Sequence, residues 1–166
     1  KWDVGQVANM HAMFNGAKAF NQDLSQWDVS SVTNMMGTFA NTAVFDQDLS
    51  KWNVEKVTTM ESLFYDADAF DHNIAAWNVA KVTTMENMFS GADSFSHALC
   101  GRAWVQKRHL LAGQQPAVQA TVPIPPSPGC SFHDGLPTLR SALGNWSANA
   151  TRARLTYGAL GSWDVG

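Results

Sequence analysis

The chain has 166 residues, 45% of them hydrophobic and 15% charged, with a formal net charge of −3. Charged residues fall below the roughly 25% of an average globular domain, and no apolar run approaches the roughly 18 residues that a membrane-spanning helix needs. Residues 1–99 carry a net −7 and residues 100–166 a net +4, too thin a positive surface to follow a phosphate backbone, which argues against nucleic acid as a partner.

Five of the seven tryptophans are followed by Asp or Asn and then Val: Trp2, Trp27, Trp52, Trp77 and Trp163. The first four are 25 residues apart, and the other apolar positions keep the same period. Val4, Val29, Val54 and Val79 form one column, and Val7, Val32, Val57 and Val82 the next. Met10, Met35, Met60 and Met85 follow, then Phe14, Phe39, Phe64 and Phe89, then Phe20, Phe45, Phe70 and Phe95. Leu24, Leu49, Ile74 and Leu99 close the unit. Chance does not hold so many columns in register over four copies, so residues 1–99 are an internal repeat. The tryptophan, methionine and Phe14-type columns are the expected core ladder.

Within one unit, Leu24-x-x-Trp27-x-Val29 ends in period-2 alternation, which predicts a short strand. Val32, Met35, Phe39 and Thr42 step by three, four and three, which predicts one face of a short helix. Thr58-x-x-Glu61 and Thr83-x-x-Glu86 have capping-box spacing at its start, and Gly16 and Gly91 sit where it would end. One such unit cannot bury both apolar faces, whereas stacked copies share a continuous core. The expected fold is therefore an α/β repeat solenoid, with a short strand and a short helix per 25-residue unit.

The Leu-x-x-Trp-x-Val phase resembles the strand of leucine-rich repeats. The longer string FNQDLSQWDVSSVTNMMGTF at 20–39 resembles the BspA-like leucine-rich-repeat surface protein family, and the likeness covers residues 1–99. It implies an extracellular or cell-surface protein built of tandem repeats and often linked to adhesion, with no catalytic motif to carry over. Thr38 departs from the pattern, standing where other units have Met13, Leu63 and Met88, and marks a place for a local packing gap.

Residues 100–115 break the 25-residue spacing and read as a C-terminal cap, with Trp104 over the last layer. All six prolines lie after residue 115, and residues 116–135 read as a Pro-rich extended linker. Leu139, Leu143, Trp146 and Ala150 then step by four, three and four, an amphipathic capping helix after Pro137-Thr138. It leads into Tyr157-x-x-Leu160-x-x-Trp163-Asp164-Val165-Gly166, whose last four residues repeat Trp2–Gly5. Residues 136–166 thus resemble the N-terminal cap and first strand of a following array in the same family. The expectation is a fragment cut across two arrays of a longer chain, with a filament or cell-surface appendage as one form it takes.

Candidate sites are few. Cys100 and Cys130 bracket the Pro-rich stretch; a disulfide between them, in an oxidising compartment, stabilises by roughly 3–4 kcal/mol, and the alternative is free buried thiols. Asn145-Trp146-Ser147 and Asn149-Ala150-Thr151 are N-glycosylation sequons, Asn145 standing further from the packed face. Asp3 and Asp28 (with Asn53 and Asn78), Asp23 and Asp48 (with Asn73), and Asp46 and Asp71 (with Asn21) form polar columns. Such oxygens suit Ca²⁺, but turn and ladder bonding to local backbone explains them more simply. His11, His72, His97, His109 and His133 are read as surface residues with no metal-ligand spacing and no shared column. Cys130, Ser131, His133 and Asp134 are too close in sequence for a triad. No catalytic residue and no cofactor is expected, and the predicted function is a non-enzymatic, extracellular structural or adhesive scaffold. Its expected partners are other copies or neighbouring arrays. A glycan- or protein-binding polar face, calcium-assisted or not, and a scaffold subunit of a large assembly are the alternatives.

Overall fold

The computed structural model describes residues 2–99 and 102–111. Through 2–99 the backbone runs from one tight turn into the next, many of them with an apolar residue at both ends. In the first unit the N–H of Val7 donates to the Val4 carbonyl at 2.8 Å, Met13 to Met10 at 3.1 Å, Ala17 to Phe14 at 3.0 Å and Phe20 to Ala17 at 2.9 Å. Trp27 to Leu24 and Val32 to Val29 close the circuit in the same way, at 3.0 and 2.9 Å. The apolar side chains at these corners build the core.

The short strand and short helix expected in each unit do not form: among the described residues the only helical elements are α1 (Arg102–Lys107) and a 3₁₀ turn over Arg108–Leu111. The reason lies in two left-handed columns. Ala12, Gly37, Ser62 and Asn87 have φ of 54, 58, 52 and 54°, and Gly16, Asn41, Asp66 and Gly91 have φ of 74, 58, 49 and 77°. Left-handed residues four apart interrupt any right-handed helix. The N–H groups that a helix would spend internally go to the next unit instead. Met10, Ala12, Phe14 and Gly16 donate to the carbonyls of Asn34, Met36, Thr38 and Ala40 at 2.8–2.9 Å, and later units repeat the pattern. The predicted capping boxes are likewise absent. The hydroxyls of Thr33, Thr58 and Thr83 donate to the carbonyls of Ala8, Thr33 and Thr58 in the preceding unit, at 3.1, 3.1 and 3.0 Å.

Parallel bridges Asn9↔Asn34, Asn34↔Thr59 and Thr59↔Thr84 hold the units in 25-residue register. The sequence columns thereby become physical stacks. Phe14, Phe39, Phe64 and Phe89 follow one another at ring-centroid separations of 5.5–5.8 Å, and Phe20, Phe45, Phe70 and Phe95 at 5.9–6.2 Å. The two stacks touch within each unit at 4.0–4.4 Å. Met10, Met35, Met60 and Met85 are all fully buried in the same core. Each buried Phe contributes about 1.5–3 kcal/mol by leaving water, and the buried Val, Leu, Ile and Met side chains contribute in the same range. Thr38 is buried too, and its hydroxyl lies 2.9 Å from the carbonyls of both Met10 and Met35, so the polar atom that departs from the pattern is hydrogen-bonded.

At the far end α1 and the 3₁₀ turn lie against the last unit. Trp104 and Leu111 are buried in the same hydrophobic cluster as Phe89, Phe95 and Leu99, with Ala103 and Leu110 at its margin.

Candidate functional site

The surface of the stack carries the polar columns. In the first of them Asp3, Asp28, Asn53 and Asn78 each accept the backbone N–H two residues on, from Gly5, Ser30, Glu55 and Ala80 at 3.0–3.3 Å. In the second Asp23, Asp48 and Asn73 do the same for Ser25, Ser50 and Ala75 at 2.8–2.9 Å. These are Asx turns, which explain Asp and Asn at corners where the chain reverses. The bonds favour the ionised carboxylate. The Ser25 N–H and then its hydroxyl hold Asp23 below the ordinary carboxyl pKa, and the hydroxyls and then the N–H groups of Ser30 and Ser50 do so for Asp28 and Asp48.

The third column works between units. The Asp46 N–H donates to Asn21 Oδ1 at 3.0 Å, Asp71 to Asp46 Oδ1 at 3.1 Å, and Ser96 to Asp71 Oδ1 at 2.9 Å. A side chain one residue further on reinforces each step. Gln47 donates to Asn21 Oδ1 at 2.8 Å. His72 Nε2 lies 3.2 Å from the Asp46 carbonyl and 3.3 Å from its carboxylate, and His97 Nε2 lies 2.9 and 3.5 Å from the same groups of Asp71. His72 and His97 are 25 residues apart and do share a column, which corrects the expectation that no two of the five histidines do. The period itself is the signal for this pair. His11 and His109 are exposed and outside it.

Six carboxylates are candidates for Ca²⁺ by sequence: Asp3, Asp28, Asp23, Asp48, Asp46 and Asp71. The structure distributes them over three columns, each engaged with backbone, and among the described residues no three His, Cys, Asp or Glu side chains gather as a metal-binding group. The core ladder is graded along the stack. Trp52 and Trp77 are buried, and their indole N–H groups donate to the carbonyls of Leu24 and Leu49 in the preceding unit at 3.0 and 2.9 Å. Trp27 is half-buried and Trp2 is 68% exposed, although the two rings stack at 6.1 Å. Phe14 is half-buried where Phe39, Phe64 and Phe89 are buried. Cys100, Cys130, Asn145 and Asn149, with the predicted linker and capping helix, lie outside the described residues.

The second left-handed column is the main feature that apolar spacing does not reveal. Gly16, Asn41, Asp66 and Gly91 are the residue types that tolerate positive φ, and their recurrence at 25-residue spacing is a visible sign of it. Gly16 and Gly91, expected at a helix end, occupy the left-handed state typical of that place but close a turn.

No helix among the described residues is long and apolar enough to cross a membrane. No curated protein matches the chain. No solved structure matches it. A family model described as "Mycoplasma protein of unknown function, DUF285" matches residues 1–104. With more than half its length matched, through all four units and into α1, the chain belongs to that family.

Proposed function

We propose that this chain is part of an extracellular or cell-surface repeat protein of the BspA-like kind, a solenoid that acts as a structural or adhesive scaffold and carries out no catalysis. The observation that supports this reading is how the polar side chains are used. Asp, Asn, Thr and His recur every 25 residues and are spent on Asx turns or on bonds to the next unit. Polar groups committed in this way stiffen the stack and present a regular surface, and they leave a repeat protein to work through extended area. Neighbouring arrays and further copies are the partners such a surface fits. Protease shaving of intact source cells tests the location: tryptic peptides from residues 1–99 are expected in the supernatant before lysis. Peptides that appear only after lysis overturn it. Adhesion is tested by coating beads with the chain and measuring retention on host-cell or matrix surfaces. Retention no greater than that of beads coated with the heat-unfolded chain refutes the adhesive role.

A further inference from the structure

We propose that a hollow on the flank of the stack binds a short neutral oligosaccharide, with Tyr65 as its aromatic wall. Residues of three successive units line it and enclose about 280 Å³, just under the roughly 300 Å³ at which small-molecule clefts begin. Its buried members are Gly37 and Ala40 of the second unit, which form the floor. Asn15, Asn41, Ser62 and Tyr65 stand around them, half-buried or exposed.

The hollow exists because the second unit departs from its neighbours. At the position of Gly37 the other units carry Ala12, Ser62 and Asn87, and at that of Ala40 they carry Asn15, Tyr65 and Ser90. Neither the backbone nor the packing asks for a glycine there. Ala12, Ser62 and Asn87 keep side chains at the same left-handed φ, 52–54°. A Cβ on Gly37 would meet only the Ala40 Cβ, at an ordinary 3.9 Å. The small pair leaves open space beside an aromatic side chain that is 36% exposed.

The chemistry of the lining selects the ligand. The polar columns elsewhere are spent on turns and on neighbouring units, whereas here part of the capacity is free. Asn41 Nδ2 donates to Asn15 Oδ1 at 3.0 Å. The Asn15 amide N–H groups, Asn41 Oδ1 and the hydroxyls of Ser62 and Tyr65 have no partner among the described residues. Free donors and acceptors around an apolar floor match a pyranose, whose ring hydrogens make apolar faces and whose hydroxyls make a polar edge. An apolar side chain of a protein partner would instead bury those groups unpaired, a cost that a hydroxylated ligand avoids. The lining contains no Asp, Glu, Lys or Arg, its ionisable members being His11 and Tyr65. Residues 1–99 carry a net −7, so sialylated, sulphated and phosphorylated ligands are repelled. The site gives the adhesive reading a ligand class and rests on that reading for its setting at a cell surface.

The labelled full chain on a printed array of neutral, sialylated and sulphated oligosaccharides tests the proposal, with the best neutral saccharide then titrated calorimetrically. Neutral saccharides are expected to bind, at least tenfold more weakly in Tyr65→Ala and in Gly37→Asn. The second variant fills the hollow with a side chain that the same column accepts at Asn87. Glu55→Gln, exposed and outside the lining, is expected to bind as the parent. A cooperative denaturation transition shows that each variant is folded. Binding confined to charged saccharides, or equal in the parent and both variants, overturns the site. A blank array with coated beads still retained on cells removes the saccharide site and leaves the adhesive reading intact, whereas loss of both removes both. A blank array with self-association that Tyr65→Ala abolishes gives the hollow to a second copy and likewise overturns the proposal.

Discussion

The two ends of the stack are built from the same 25-residue unit, yet they differ in almost every physical respect. At the far end Phe89 and Phe95 are buried, and Trp104 of α1 is buried in the same hydrophobic cluster. At the near end Phe14 and Phe20 are half-buried and Trp2 stands mostly in solvent. The phenylalanine columns are identical at both ends, so burial here is a property of position in the stack. A repeat column states what a side chain can do, and the neighbouring layer decides how much of it is realised.

The difference can be measured. Phe89→Ala removes a ring packed against Phe64 and Phe95 and is expected to cost about 3–5 kcal/mol in chemical denaturation. Phe14→Ala, in the same column, is expected to cost about 1–2 kcal/mol because part of its surface is already wet. Equal losses would break the comparison. Glycine in the second left-handed column gives a smaller contrast. A Cβ on Gly91 meets the Asp66 side chain and lies 3.1 Å from its Cα, whereas one on Gly16 meets nothing within 4 Å. Gly91→Ala is expected to lose about 2–3 kcal/mol, and Gly16→Ala only the left-handed cost of about 1 kcal/mol.

Thr38→Val, in the second layer, retains the shape and removes the hydroxyl's contact with the Met10 and Met35 carbonyls, which keep the backbone N–H groups of Met13 and Thr38. A loss of about 0.5–1.5 kcal/mol is expected, with an unchanged m-value; no loss would mean that the hydroxyl is spectator to the packing. Acid gives the smallest effect. Asp23, Asp28 and Asp48 have folded pKa values below the ordinary carboxyl value. Their stabilisation is therefore present above the unfolded pKa of about 3.9 and is lost as pH falls through the folded values. Denaturation midpoints are expected to hold from about pH 7 to 5 and to fall below about pH 4, less steeply in Asp48→Asn.

Much of the core is legible in the spacing of apolar residues. Val32, Met35, Phe39 and Thr42 fall on one predicted face, and all four are buried. The break in the period at residue 100 is followed by Trp104, which is buried in the same hydrophobic cluster as Phe89, Phe95 and Leu99. Local conformation at the same residues is not legible in this way, because a three-four-three spacing fits a helix and also fits a string of tight turns. His72 and His97 are separable from the other histidines by arithmetic alone, yet only their contacts with Asp46 and Asp71 give that spacing a meaning.

The period, the columns, the side that faces the core and the point where the repeat ends at α1 all follow from which residues are apolar and how far apart they stand. The path of the backbone between those points does not. An N–H at Ala12 can bond four residues back in a helix or reach Met36, 24 residues ahead, in the next unit. Local spacing does not distinguish the two. The stacked neighbour does, by offering carbonyls to the N–H groups of Met10, Ala12, Phe14 and Gly16 while the left-handed residues at 12 and 16 turn the chain away from a helix.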